Sequence, residues 1–228
     1  MEFVQKGGSP PAGTLGLLDQ EGSVYPSFAA NAVSLKPDEF VGTKTGGHFS
    51  VAAFTAAGAM AAGGIMAAFR WTDSALLCVV KRVRVAVNVV TAVTAQAGPD
   101  CDMIVVRSYT ASDSTNGTAV SLAGSTGKMR GSKMQASPAL IHVASTTGAS
   151  GGTGTADSST VGNAPIPLTA FTIGGTSPFV TLYDCTQNAQ HPLILETNEG
   201  FRIRNTTVIS TGTIRYYVAI DWLEATGF

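Results

Sequence analysis

Charge is what this sequence lacks most. Only 13% of its 228 residues are Asp, Glu, Lys or Arg, about half the usual share. The few charges nearly cancel, 14 basic against 15 acidic, which argues against broad electrostatic attraction to nucleic acid or an anionic membrane. Cysteine is equally sparse. Cys78, Cys101 and Cys185 are odd in number and widely spaced, so they outline neither a disulfide framework nor a zinc motif. Cys78 lies in an apolar run with Leu76, Leu77, Val79 and Val80 and reads as a small buried hydrophobe. This cysteine usage fits synthesis in a reducing compartment, and residues 1–8, with Glu2 and Lys6, lack the apolar core of a secretory leader, so no signal peptide is expected. One uncharged run, residues 51–69, approaches the length of a membrane span. Ala and Gly dominate it, and Gly58, Gly63 and Gly64 oppose a helix, so no membrane span is expected.

Groups that carry chemistry are also few. The three histidines, His48, His142 and His191, lie in no motif, and each reads as capping a strand or satisfying the core. Asp100-Cys101-Asp102 is the nearest approach to a metal cluster, and Asp184-Cys185 is weaker. The first follows Pro99 and reads as a turn whose carboxylates cap the backbone. Residues 148–154 are glycine-rich, but no Gly-Lys-Ser/Thr follows and no strand-to-helix frame surrounds them. Glu196 with Glu199 reads as a solvated turn rather than a glycosidase pair. Lys81, Arg82 and Arg84, with Arg202, Arg204 and Arg215 as possible neighbours, read as solvated strand faces or salt-bridge partners. The sequence therefore singles out no catalytic residue, no cofactor and no metal ligand, and an enzyme is not expected.

Strand signals are what the sequence has in abundance. Val83, Val85, Val87 and Val89 alternate with Arg82, Arg84, Ala86 and Asn88, the period of a half-buried strand. Residues 102–110 form another β-rich run, and Asn116-Gly117 closes the turn after it. Near the C-terminus, residues 192–196, 201–205 and 213–224 are three strand candidates. Residues 197–200 make a tight connection between the first two, and residues 210–212 are expected to make a hairpin with the third. In that last strand Ile214, Tyr216, Val218, Ile220 and Trp222 share one face, which marks it as central and core-facing. Residues 145–163 are Ser/Thr/Gly-rich and read as a long exposed loop or a β-excursion. Helix signals are almost absent. The fold class expected is all-β, a jelly-roll-like β-sandwich over residues 48–228.

Residues 1–47 are punctuated by Gly7-Gly8, Pro10-Pro11, Pro26, Pro37 and Gly46-Gly47. Between them lie apolar islands: Leu15, Leu17 and Leu18, then Val24, Tyr25 and Phe28, then Phe40 and Val41. Such a segment buries little of itself. It is expected to be an extended N-terminal arm, with those eight residues as candidate contacts to another subunit.

The stretch Phe69-Arg70-Trp71-Thr72-Asp73-Ser74 resembles a group of tailed-bacteriophage virion proteins. So do the run from Val106-Arg107-Ser108-Tyr109 through Asp113 and the endings Asn198-Glu199-Gly200-Phe201-Arg202-Ile203-Arg204 and Ala219-Ile220-Asp221-Trp222-Leu223-Glu224. The resemblance covers patches of residues 65–225 and rests on strand and turn signatures. It implies a head decoration (cement) protein with a jelly-roll body, bound to the major capsid protein in the virion. Fold-level analogy adds a homo-oligomer, with a trimer favoured. A tail, baseplate or head-fibre subunit is the alternative within that class, and a carbohydrate-binding attachment module lies outside it. The arm and the Ser/Thr/Gly segment fall outside the resembling patches.

Overall fold

The computed structural model describes residues 45–93, 99–124, 126–129, 137–186, 192–209 and 211–225. The expected arm therefore lies outside the described residues, apart from its last three. One compact unit spans Gly46–Phe228. Among the described residues there is no helix. Eleven strands follow in order: β1 (Thr45–Phe54), β2 (Gly64–Trp71), β3 (Leu77–Thr91), β4 (Asp100–Ala111), β5 (Gly117–Val120), β6 (Leu140–Ala144), β7 (Thr153–Pro165), β8 (Val180–Asp184), β9 (Leu193–Leu195), β10 (Glu199–Asn205) and β11 (Thr213–Ala225).

The strands form two antiparallel sheets. The first runs β1-β11-β3-β8, with β9 also paired to β3, and the second runs β5-β6-β2-β10-β4-β7. The pairings are nested: β4 with β7, β3 with β8, β2 with β10, and β1 with β11. A long hairpin ribbon folded over so that successive strands alternate between two sheets has this order, which is that of a jelly roll. The β5-β6 hairpin is inserted between β4 and β7 and widens the second sheet.

The central ladder is β11 on β3, with Tyr216 opposite Val87, Val218 opposite Val85 and Ile220 opposite Val83. All six side chains are buried in one core, as the two matched alternations require. A register shift lies at Asp221/Trp222, where Asp221 faces Arg82 and Trp222 faces Val80. The extra residue, Lys81, switches the parity of β3. Val80 and Cys78 therefore face the core, while Val79 joins Leu223 and Ala225 in a small cluster on the opposite face.

Aromatic rings knit the two sheets together. Trp222 stacks on Phe49 of β1 at 5.3 Å and meets Phe69 of β2 edge-on at 5.3 Å, and Phe69 stacks on Phe201 of β10 at 4.9 Å. A polar clasp across this core is the Tyr216 hydroxyl, which donates to Asn205 Oδ1 at 2.9 Å. Burial pushes that phenol well above its ordinary pKa.

Several expectations change in detail. Residues 210–212 do not join a hairpin, because β10 and β11 lie in different sheets. The segment between them instead crosses the end of the sandwich, where Thr206 N–H donates to Asp100 O and Ile209 N–H donates to Met60 O, each at 2.9 Å. Residues 197–200 likewise pass from one sheet to the other. The Ser/Thr/Gly segment is a β-excursion: most of it is the 13-residue edge strand β7. Residues 51–69 supply parts of β1 and β2, and no helix of the described residues is long and apolar enough to cross a membrane.

Candidate functional site

Each strand of a sandwich sends alternate side chains to the core and to the outer face. The outer faces are therefore where any site must be sought when the interior is filled. The interior here holds packed apolar side chains, including both tryptophans, each fully buried. Neither tryptophan is available to stack on a sugar.

On the outer face of the second sheet most of the charges are paired internally. Asp113 is 1% exposed and accepts from Arg202 Nε at 2.7 Å, from the Gly152 amide at 2.8 Å and from the Tyr109 hydroxyl. Burial, then the Asp113 carboxylate, pushes the Tyr109 phenol well above its ordinary range. Glycine is required at 152, since a Cβ there would run into the Asp113 carboxylate. The glycine-rich stretch thus serves to close this latch. Two strand positions along, Arg204 grips Asp102 in a bidentate pair at 2.9 and 2.6 Å. Arg107 joins Glu199 at 2.7 Å and Asp157 of β7 at 3.5 Å.

These contacts revise two readings. Asp100-Cys101-Asp102 is part of strand β4 rather than a turn. Alternation sends Cys101 into the core and both aspartates outward, so the three cannot converge on one ion. Burial, followed by the neighbouring aspartates, pushes the Cys101 thiol up out of the thiolate range. Glu199 is not a solvated turn residue, because it binds Arg107 and accepts from the Glu196 amide at 2.9 Å. Among the described residues no group of His, Cys, Asp or Glu could hold a metal ion. His48 and His142 lie half-buried in β1 and β6, and His191 lies outside the described residues. The basic group reads as salt-bridge partners at Arg82, Arg202 and Arg204. Its members are split between the two sheets, so they form no single patch.

The outer face of the first sheet is different. Arg82 pairs with Asp221 at 3.0 Å, but Arg84 and Arg215 have no carboxylate partner among the described residues. Arg84 lies over the Phe179 ring at 5.5 Å and Arg215 over the Phe54 ring at 5.2 Å. Phe54 is 57% exposed and Phe179 48%. Phe54 also meets Tyr217 at 5.9 Å. Tyr217 stands opposite Ala86, and Ala219 opposite Arg84. The two alanines are buried between larger neighbours. The result is an apolar strip with a cation–π pair at each side. Ile173, 73% exposed, extends the apolar character onto the connection before β8.

The eight candidate contacts of the arm, Leu15, Leu17, Leu18, Val24, Tyr25, Phe28, Phe40 and Val41, lie outside the described residues. Sequence reasoning missed the Phe54–Arg215 and Arg84–Phe179 pairs. Only the sheet order brings those strands side by side. Comparison of the chain with protein-family models, with curated proteins and with solved structures gives no match.

Proposed function

We propose that this protein is a virion structural subunit, a bacteriophage head decoration protein that binds across subunits of the major capsid protein. The observation that carries the reading is where the chain spends its exposed apolar surface. The jelly-roll interior is filled, and of the exposed large hydrophobics Phe54, Phe179 and Ile173 project from one face and its border, while Leu140 and Val161 lie on the other sheet. A contiguous exposed apolar strip, such as the one between Phe54 and Phe179, is the kind of surface that serves contact with another macromolecule. Low charge fits a surface that neighbours cover, and a jelly roll is an architecture used by capsid and lectin domains alike. The work is mechanical: many weak contacts hold capsomers together against internal pressure. The arm supplies further contacts through its apolar islands, and a trimer is the favoured assembly.

The test is co-sedimentation of the purified protein with particles that lack it, together with its copy number in intact particles. Saturable binding at hundreds of copies per head is the expected result. A few copies confined to the tail would move the protein to a tail or baseplate role, and no binding would end the virion reading. Deleting residues 1–40 is expected to leave a folded, soluble domain that no longer sediments with particles.

A further inference from the structure

We infer that Asn116 is a modification site, converted to aspartate and isoaspartate by spontaneous deamidation, and that the latch at Asp113 sets how often its turn opens to the reaction. The inference does not depend on the virion reading. Asn116-Gly117 is the one Asn-Gly pair of the sequence, and glycine is the neighbour that shields an asparagine side chain least from attack by the backbone. Neither residue is free to change. Asn116 stands exposed at φ 55°, a left-handed conformation that asparagine adopts more readily than most side chains. At 117 an added Cβ would lie 2.6 Å from the backbone oxygen of Asp113 and 3.3 Å from the His142 Cβ, so glycine is required. The chain therefore cannot slow the reaction with bulk beside Asn116, and protection falls to the fold.

The nucleophile is the Gly117 backbone nitrogen. After hydroxide removes its proton, that nitrogen attacks Asn116 Cγ. The new C–N bond closes a five-membered succinimide, and the side-chain nitrogen leaves as ammonia. Water then opens the ring at either carbonyl, which gives aspartate, or isoaspartate with an extra methylene in the main chain. The closed turn blocks this path. The Gly117 N–H donates to Ser114 O at 3.1 Å, which holds both its proton and its orientation. The Ser145 N–H donates to Asn116 O at 2.8 Å, which resists the backbone rotation that ring closure needs. Thr115 and Ser150 exchange two backbone hydrogen bonds, at 3.0 and 2.9 Å. At the root of the turn Asp113 is held by Arg202, the Gly152 amide and the Tyr109 hydroxyl. Only molecules with the turn open react, so the rate follows local opening. The step is irreversible, and isoaspartate, one main-chain atom longer, cannot re-form the four-residue turn from Ser114 to Gly117.

The experiment incubates full-length protein at pH 8, both folded and in urea above its unfolding midpoint, beside a synthetic peptide of residues 111–121. Mass spectrometry follows the conversion of amide to acid in the tryptic peptide of residues 108–128, whose only side-chain amide is Asn116. Enzymatic methylation of isoaspartate identifies the product. Unfolded protein and peptide are expected to react at the same rate. Folded wild type is expected to react at least about tenfold more slowly, and folded Asp113→Ala at least about fivefold faster than folded wild type. Should Asp113→Ala lose its β-sheet circular dichroism, Ser150→Pro, which removes one of the two hydrogen bonds to Thr115, replaces it. Unfolded protein that does not react, folded wild type that reacts like the peptide, or a variant that reacts no faster than wild type would each overturn the inference.

Discussion

Replacing Trp222 with alanine tests the core directly. Trp222 is fully buried, stacked within 10° of parallel on Phe49 and edge-on to Phe69, and it faces Val80 across the register shift in the central ladder. Truncating a buried aromatic to alanine costs about 3–5 kcal/mol, because transfer energy is lost and the cavity closes only in part. Two ring contacts, each worth about 0.5–1.5 kcal/mol beyond area, place this site toward the upper end. For a chain of this size, at about 2–4 °C per kcal/mol, the melting temperature falls by about 10–15 °C. Urea unfolding followed by far-UV circular dichroism measures the loss, with an unchanged slope showing that compactness in both states is preserved. Phe54→Ala, on the outer face, is the matched control and is expected to stay within about 0.5 kcal/mol of wild type. If Trp222→Ala also stayed within about 0.5 kcal/mol, the assignment of faces along β11 would be wrong.

Asp113→Ala strands Arg202, the Tyr109 hydroxyl and the Gly152 amide together, and is expected to cost about 3–5 kcal/mol. Arg82→Ala, whose own side chain is 44% exposed but whose partner Asp221 is buried, is expected to cost about 1–3 kcal/mol in the same urea assay, less than Asp113→Ala. Glu224 is buried, and burial raises its carboxyl above the ordinary 4.5 despite the nearby Ser137 and Lys128, with Asp73 raising it further. The protonated acid is thus favoured in the fold, so its contribution to stability is complete below pH 4.5 and is lost as pH rises through the raised value. Glu224→Gln is expected to flatten that loss and to stabilise the protein at pH 8. A wild-type and variant pair whose difference in urea stability is the same at pH 5 and pH 8 would contradict it.

The strongest strands were legible because alternation survives wherever one face is buried. Ile214, Tyr216, Val218, Ile220 and Trp222 read as a core face and pack as one. Asn116, at φ 55°, is in the left-handed turn conformation that Asn-Gly announces. Sheet membership was not legible. A tight turn such as residues 197–200 has the same composition whether it joins neighbours in one sheet or crosses between sheets, and only long-range pairing decides. The latch at Asp113 was invisible for a related reason. Its partners lie 39 and 89 positions away, and an Asp after Ser112 looks like any turn residue. Strand β7 was half-legible, since Ser, Thr and Gly fit a loop as well as a polar edge strand.

The sparse charge seen first in the composition has a structural counterpart. A protein with few charges can leave them scattered in solvent, where each pair contributes little, or place them where neighbours are fixed and water is scarce. This chain does some of both, since Arg82 and Arg107 remain 44% and 43% exposed. Arg202 with Asp113 and Arg204 with Asp102 are mostly buried pairs that hold β10 to the connection after β4 and to β4 itself. Arg107 with Glu199 and Asp157 ties β4 to β10 and to the edge strand β7. Arg82 with Asp221 spans the central ladder of the other sheet, beside its register shift. With acids committed in this way, Arg84 and Arg215 stand out as cations backed by aromatic rings instead of carboxylates. Aromatic backing holds a guanidinium in place without neutralising it, so both keep their positive charge on the outer face of the first sheet.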